Sequence, residues 1–249
     1  MREKGFAIKG STLKWIAIIT MLIDHTGATL VAGALSSCPQ GSTAYQRWLF
    51  LYWLMRCIGR IAFPIFCYLL VEGIRHTSNP RKYAARLLLF ALISELPFDY
   101  AFFSGWIDWN GQNVFFTLFL GFVAVECTLY IQKNLQRPAV KQFGNLLVTA
   151  VFMIAADYLY TDYGAIGVLT IVLMYYVPVL RPRGRKGTSF LIAMLPLVVA
   201  NPVELPALLD AVLIQKYDGT RGKQMKYFFY LFYPVHILLL GILYHFIFT

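Results

Sequence analysis

The chain is poor in charge, and the few charges it has are unevenly signed. Only 14% of its 249 residues are charged, with 12 acidic side chains against 22 lysines and arginines and a net charge of +10. Cysteine is scarce too. Cys38, Cys57, Cys67 and Cys127 form no close CxxC pair and show no metal-ligand spacing, which excludes a zinc framework and leaves free thiols in apolar segments as the reading. Strict alternation of apolar and polar residues is missing, which excludes a membrane β-barrel. No cleavable signal peptide is evident: the first apolar run is longer than a signal core, carries Asp24 and His25, and has no convincing small-residue cleavage site after it. Nor does the sequence repeat itself, which weighs slightly against a transporter built from matched halves.

Long apolar runs separated by short polar loops are what the chain does have, and 59% of its residues are hydrophobic. Each run crosses, or nearly crosses, a hydrocarbon core of about 30 Å. No water reaches the backbone there, so the runs must be helices. They fall at residues 13–33, 48–74, 83–96, 114–131, 143–158, 165–180 and 227–248, with two short pieces at 190–200 and 206–214 split by Asn201-Pro202. The short pieces form either two tilted spans or a re-entrant hairpin. The expected fold is a single domain over residues 1–249, an all-α integral membrane bundle of about nine transmembrane helices.

Loop charge orients the bundle. One set of loops and helix ends holds Arg2, Lys4, Lys9 and Lys14, then Arg75, Arg81, Lys82 and Arg86, then Lys133, Arg137 and Lys141. The same side holds Arg181, Arg183, Arg185 and Lys186, and finally Lys216, Arg221, Lys223 and Lys226. The opposite loops hold Arg47 and the acids Glu95, Asp99, Asp108, Asp157, Asp162 and Glu204. Basic loops stay cytoplasmic, so the amino terminus is expected inside, the carboxyl terminus outside, and the number of spans odd. This pattern explains the basic excess, with anionic lipid as a secondary partner and no role for nucleic acid. The location expected is a bacterial cytoplasmic (inner) membrane, with the chain crossing it several times.

Ionisable residues within spans are costly, about 2.5–3.5 kcal/mol near the bilayer centre on insertion scales, and mark function by default. The first helix carries Asp24 and His25, the second Arg56, Arg60 and, near its inner end, Glu72, and the last His236. Lys14 and His25 are eleven residues apart and share a helix face, separated by about 16 Å along the axis. Arg56 and Arg60 stack on one face, and Pro64 is expected to kink their helix. Asp24 and His25 point about 100° apart, so Asp24 is expected to meet an arginine of the second helix and leave His25 free. A structural ion pair is the competing role for Asp24 and the arginines, and a helix-joining hydrogen bond for His236. Glu72, Arg75 and His76 are read as interfacial.

A neutral histidine at mid-membrane is a general base near physiological pH, and a basic rim suits a phosphate-bearing donor. Acyl transfer from a cytosolic carrier fits this set. A proton-coupled transporter using Asp24, His25 and His236 as a relay fits it too, and a non-catalytic scaffold is the third class.

The segments LKWIAIITMLIDHTG, RCIGRIAFPIFCYLLVEGIRHTSNPRKYAARLLLFALISELPFD and QMKYFFYLFYPVHILLL resemble the TraX family. DH, GRIAFPIF and YPVH together carry the likeness. That family includes the plasmid-encoded protein that acetylates the amino terminus of conjugative pilin. It is regarded as related to transmembrane acyltransferases whose first helix has an arginine, ten residues, then a histidine. Here Lys14 and His25 keep the spacing with lysine in place of arginine, losing the bidentate fork. The resemblance implies an acyl donor, acetyl-CoA or another acyl-CoA, and an amine or hydroxyl acceptor on a protein, sugar or small molecule. Under it, His25, Asp24, His236 and Arg60 are the catalytic set, and Lys14, Arg56, Arg75, Lys82 and Arg86 bind the donor.

Overall fold

The computed structural model describes residues 7–103, 105–223 and 225–248; Arg2 and Lys4 of the first basic cluster lie outside them. Among the described residues the chain is 81% helical with no sheet, in nine helical stretches. We number these α1 (Gly10–Ser36), α2 (Thr43–His76), α3 (Pro80–Phe102), α4 (Val114–Asn134), α5 (Pro138–Tyr158), α6 (Gly164–Leu180), α7 (Lys186–Ala200), α8 (Asp210–Lys216) and α9 (Lys226–Phe248). Five of them, α1, α2, α4, α5 and α9, are long and apolar enough to cross a membrane, and α6 and α7 are shorter apolar helices. The protein is therefore a multi-pass membrane protein, as the apolar runs required.

Three local features depart from simple spans. A π-helical turn, Gly27–Val31, interrupts α1 one residue after the DH pair. Next to it the Thr26 and Thr29 hydroxyls donate back to the carbonyls of Leu22 (2.8 Å) and His25 (2.7 Å). Such turns are rare and often sit at functional sites. The second feature is a break in α2 at Arg60 and Ile61. Pro64, expected to kink this helix, acts one turn earlier than its own position, because its missing N–H is the one that would have reached the Arg60 carbonyl. The third feature lies between Asn201 and α8. The expected second short span is a 3-10 helix, Pro202–Leu209, continuing into α8.

The chain sorts into two compact units. One comprises the chain through Phe66, Leu96–Ile107 and the chain from Pro202; the other comprises Cys67–Glu95 and Asp108–Asn201.

In the first unit α1 and α9 run parallel. Trp15 meets Phe228 and Phe229, His25 meets Tyr233 and His236, and a Cβ on Gly33 would strike Tyr244 and Phe248. Contacts that climb both helices together require an odd number of crossings between them, and so an odd number of spans in all. The buried faces are apolar, including Leu13, Ala17, Ile65, Ile214 and Ile237. The α1–α2 contact is closest at Gly59, where any Cβ would lie 2.1 Å from Asp24 Oδ1. Only glycine lets that carboxylate lie on the second helix.

In the second unit α4, α6 and α7 bury Val125, Val168, Ile171, Ala193 and Met194. Tyr176 of α6 donates to Thr128 of α4 at 2.8 Å. The face of α5 is almost entirely exposed, with Phe143, Leu146 and Ile154 each more than two-thirds accessible (68%, 71% and 69%). On a helix of this composition that face belongs against lipid tails.

Two acids read as loop residues are helical. Glu95 and Asp99 both lie in α3, which continues well past the expected end at residue 96. Asn113 supplies the polar partner that makes this possible. Its backbone N–H and side-chain amide both donate to Glu95 Oε2, and the amide also donates to the Ala91 carbonyl at 2.8 Å. Asp99 is buried.

Candidate functional site

Asp24 sits on the inward face of α1, and the rotation of one residue sends His25 toward a different helix. Asp24 accepts from Arg56 through Oδ2 and from Arg60 through Oδ1, both at 2.7 Å. Arg60 goes on to Glu204 Oε1 at 2.9 Å, and its Nε donates to the Arg56 carbonyl at 3.1 Å. The result is a four-residue ionic chain, Arg56–Asp24–Arg60–Glu204, with two charges of each sign. Arg60 is held on three sides and nearly buried. Arg56 is more open, with a quarter of its side chain accessible (25%) against 9% for Arg60. Among the described residues Arg56 spends only Nη1 on a carboxylate, so its other N–H groups point at no protein acceptor.

Glu204 corrects an expectation. It stood with the acids of the outer loops, yet it is only 1% accessible. The signal was present in its neighbours. An acid flanked by Pro202 and Pro206 within an otherwise apolar stretch is better explained by an internal partner than by a loop. Glu204 Oε2 is buried with no hydrogen-bond partner among the described residues.

His25 is not free; it pairs with His236 of α9. Its Nδ1 lies 2.7 Å from His236 Nε2, and the rings are coplanar to within 5° at a centroid separation of 5.0 Å. Rings in one plane at that spacing meet edge to edge through their nitrogens rather than stacking face on face. His236 Nδ1 lies 2.6 Å from the Phe232 carbonyl. A carbonyl only accepts, so His236 Nδ1 carries a hydrogen. In the neutral ring Nε2 then holds a lone pair. His25 Nδ1–H must donate to that lone pair, which leaves His25 Nε2 as the unprotonated nitrogen. Among the described residues Nε2 has no protein partner. Aromatic rings enclose the pair: Phe102 and Tyr233 stand edge-on to His25 at 5.8 Å, and Phe232 lies over His236 at 4.7 Å.

The donor residues expected from the sequence are split between the units. Lys14 shares the α9-facing side of α1 with His25. Its Nζ lies 5.3 Å from the Phe229 ring centre, and Phe229 is two helical turns before His236 on the same helix. Arg56 belongs to the same unit. Arg75, Lys82 and Arg86 belong to the other unit. There Arg75 is tied to Glu72 (3.0 Å) and to the Tyr175 carbonyl (3.2 Å), and Arg86 lies over the Tyr83 ring at 5.4 Å. Arg75 and His76 are exposed and Glu72 half-buried, in keeping with interfacial positions. The described residues contain no group of three or more His, Cys, Asp and Glu side chains able to hold a metal.

The chemistry this arrangement offers is a neutral imidazole with a defined tautomer, beside an ionic chain whose outer arginine keeps unused donors. An amine or hydroxyl proton can be taken by the first, and developing negative charge met by the second.

Comparison with known proteins adds lineage. The chain is 31% identical over 252 residues, covering 92% of each chain, to a protein of Dichelobacter nodosus named probable fimbrial assembly protein FimC, serogroup H1. No solved structure matches it. The family model described as TraX protein matches residues 9–244, a span that takes in the DH pair, the two arginines, Glu204 and His236. The chain belongs to the TraX family.

Proposed function

We propose that the protein is a membrane-embedded acyltransferase that moves an acetyl or other acyl group from acyl-CoA to an amine or hydroxyl. The observation that carries this reading is the hydrogen-bond chain from the Phe232 carbonyl through His236 to His25, which ends on one available imidazole lone pair. His25 Nε2 takes a proton from the acceptor as its nitrogen or oxygen bonds to the thioester carbon. The oxyanion on that carbon is met by Arg56. The carbon–sulfur bond then breaks, and the departing thiolate recovers the proton from His25 Nε2. Arg60 acts through the others, holding Asp24 and Glu204 and so fixing Arg56.

The bilayer position follows the loop charges, with the amino terminus in the cytoplasm and the carboxyl terminus outside the inner membrane. Lys14 then stands at the cytoplasmic rim and His25 about 16 Å deeper, a reach that suits the pantetheine arm of the donor. The relative's name, fimbrial assembly protein, and the pilin-acetylating member of the family make the amino terminus of an exported fibre subunit the first acceptor to test.

The purified protein, given labelled acetyl-CoA and a panel of amines, hydroxyls and pilin-derived peptides, is expected to transfer label, and His25→Ala to lose it. The paired imidazoles would also pass a proton. Uptake into proteoliposomes driven by a pH gradient without acyl-CoA is the result that would replace enzyme by proton-coupled carrier.

A further inference from the structure

The chain just before α9 is laced to the start of α1. Residues 216–221 run parallel to residues 8–11. Ile8 N–H donates to the Lys216 carbonyl and Asp218 N–H to the Ile8 carbonyl, both at 3.0 Å; Gly10 N–H reaches Thr220 (2.8 Å) and Ser11 N–H reaches Arg221 (3.0 Å). The fit is close. Gly222 has φ +65, and a Cβ there would stand 2.2 Å from Ser11 Oγ, while a Cβ on Gly10 would stand 3.3 Å from the Thr220 carbonyl oxygen. The strap is therefore fixed to the helix that carries Lys14 and His25.

Two consequences follow. The backbone donors that open α1 are already used, because Thr12 and Leu13 bond to the Lys9 carbonyl as Gly10 and Ser11 bond to the strap. The helix start has no donor left for a ligand. The strap also bonds the Arg221 carbonyl to Ser11, about one helical turn before Lys14 on α1. Lys14 is half-buried against Phe229, and Arg221 is exposed. Among the described residues neither has a carboxylate partner, and neither do Lys9, Lys216 and Lys223 around them. The nearby acid, Asp218, spends Oδ1 within the strap on the Thr220 N–H and hydroxyl, each at 2.7 Å. Like charges held together by a rigid backbone without a counter-charge are unfavourable unless an anion joins them.

We infer that Lys14 and Arg221 form a phosphate-binding site, assembled by the strap at the mouth of the α1–α9 face that leads to His25. Arg221 supplies the planar fork that lysine at position 14 lacks. Trp15, Tyr227 and Phe228 expose aromatic rings beside it, as residues at a headgroup level do. The phosphate belongs either to the nucleotide end of the acyl donor, which rests on the acyl-transfer reading, or to a lipid headgroup. The chemistry is shared and the source is separable.

The experiment is equilibrium binding of CoA and of pantetheine, which lacks the nucleotide phosphates, to the full chain in nanodiscs of phosphatidylcholine, with and without phosphatidylglycerol. A charge-assisted contact of about 1.4 kcal/mol corresponds to about tenfold in affinity. Arg221→Gln and Lys14→Gln are each expected to weaken CoA by about that factor and to leave pantetheine unchanged, while Arg221→Lys restores most of the affinity. These substitutions spare the backbone carbonyl of Arg221 that binds Ser11. If the variants lose only the response to phosphatidylglycerol, the site stands with lipid as its ligand. Wild-type responses to both CoA and phosphatidylglycerol in Arg221→Gln would overturn the inference. Loss of label transfer with Arg221-dependent CoA binding intact would instead count against the acyl-transfer reading alone.

Discussion

Asp24 and His25 are neighbours in sequence and opposites in setting. Asp24 lies at the middle of an ionic chain in which two carboxylates and two guanidiniums answer one another, with unused donors only at its Arg56 end. His25 enters a hydrogen-bond chain fixed at one end by the Phe232 carbonyl and ending at the other on a lone pair with no described protein partner. Paired charges hold helices together; a hydrogen-bond chain that ends on a lone pair can exchange a proton with something that arrives. The contrast assigns architecture to one residue and chemistry to the next, and substitutions on the two sides should fail in different ways.

The largest effect is expected on the ionic side. Arg60→Leu leaves Asp24 and Glu204 buried without their shared cation, and breaking a buried pair in this way costs about 3–5 kcal/mol. Thermal unfolding in detergent should show a large fall in the midpoint. Adding Glu204→Leu should recover part of it, because one unanswered charge is then removed. On the histidine side, His236→Ala should leave the midpoint close to wild type. Turnover should fall on the order of 10–100-fold, as when an orienting partner is removed from a functional histidine, with kcat falling more than KM rises. If Arg60→Leu lost only turnover, or His236→Ala chiefly unfolded the protein, the division between the two clusters would be wrong. The smallest effect is expected where the two sides meet the rim. Lys14→Met keeps the apolar stem but loses the cation over Phe229, worth about 0.5–1 kcal/mol, and the unfolding midpoint should shift only slightly.

Much of the first cluster was legible from helical phase. Adjacent residues on a helix diverge by about 100°, so Asp24 and His25 could not serve the same partner, and the stacked arginines four apart were the available cations. The same arithmetic put Lys14 and His25 on one face, and both contact α9. The partner of His25 was not legible. Nothing in the spacing of one helix says which residue of a helix some 200 positions later will meet it, and His236 was a candidate without an assigned contact. Glu204, Glu95 and Asp99 were misplaced for a common reason: charge and nearby proline read as loop, whereas Arg60 and Asn113 supply partners that let Glu204 and Glu95 stay inside helical segments. The strap that joins residues 8–11 to 216–221 was equally hidden, since backbone pairing of two short irregular stretches leaves no side-chain pattern.

The central claim is that His25 carries the chemistry while its neighbour carries the fold. The direct measurement is transfer of label from acetyl-CoA to a panel of amines and hydroxyls by wild type, His25→Ala and His25→Gln, with the unfolding midpoint followed on the same samples. The account predicts that both variants keep a near-wild-type midpoint and lose transfer by about 10²–10⁴-fold, the range for removal of a general base. Full turnover in His25→Ala would contradict it.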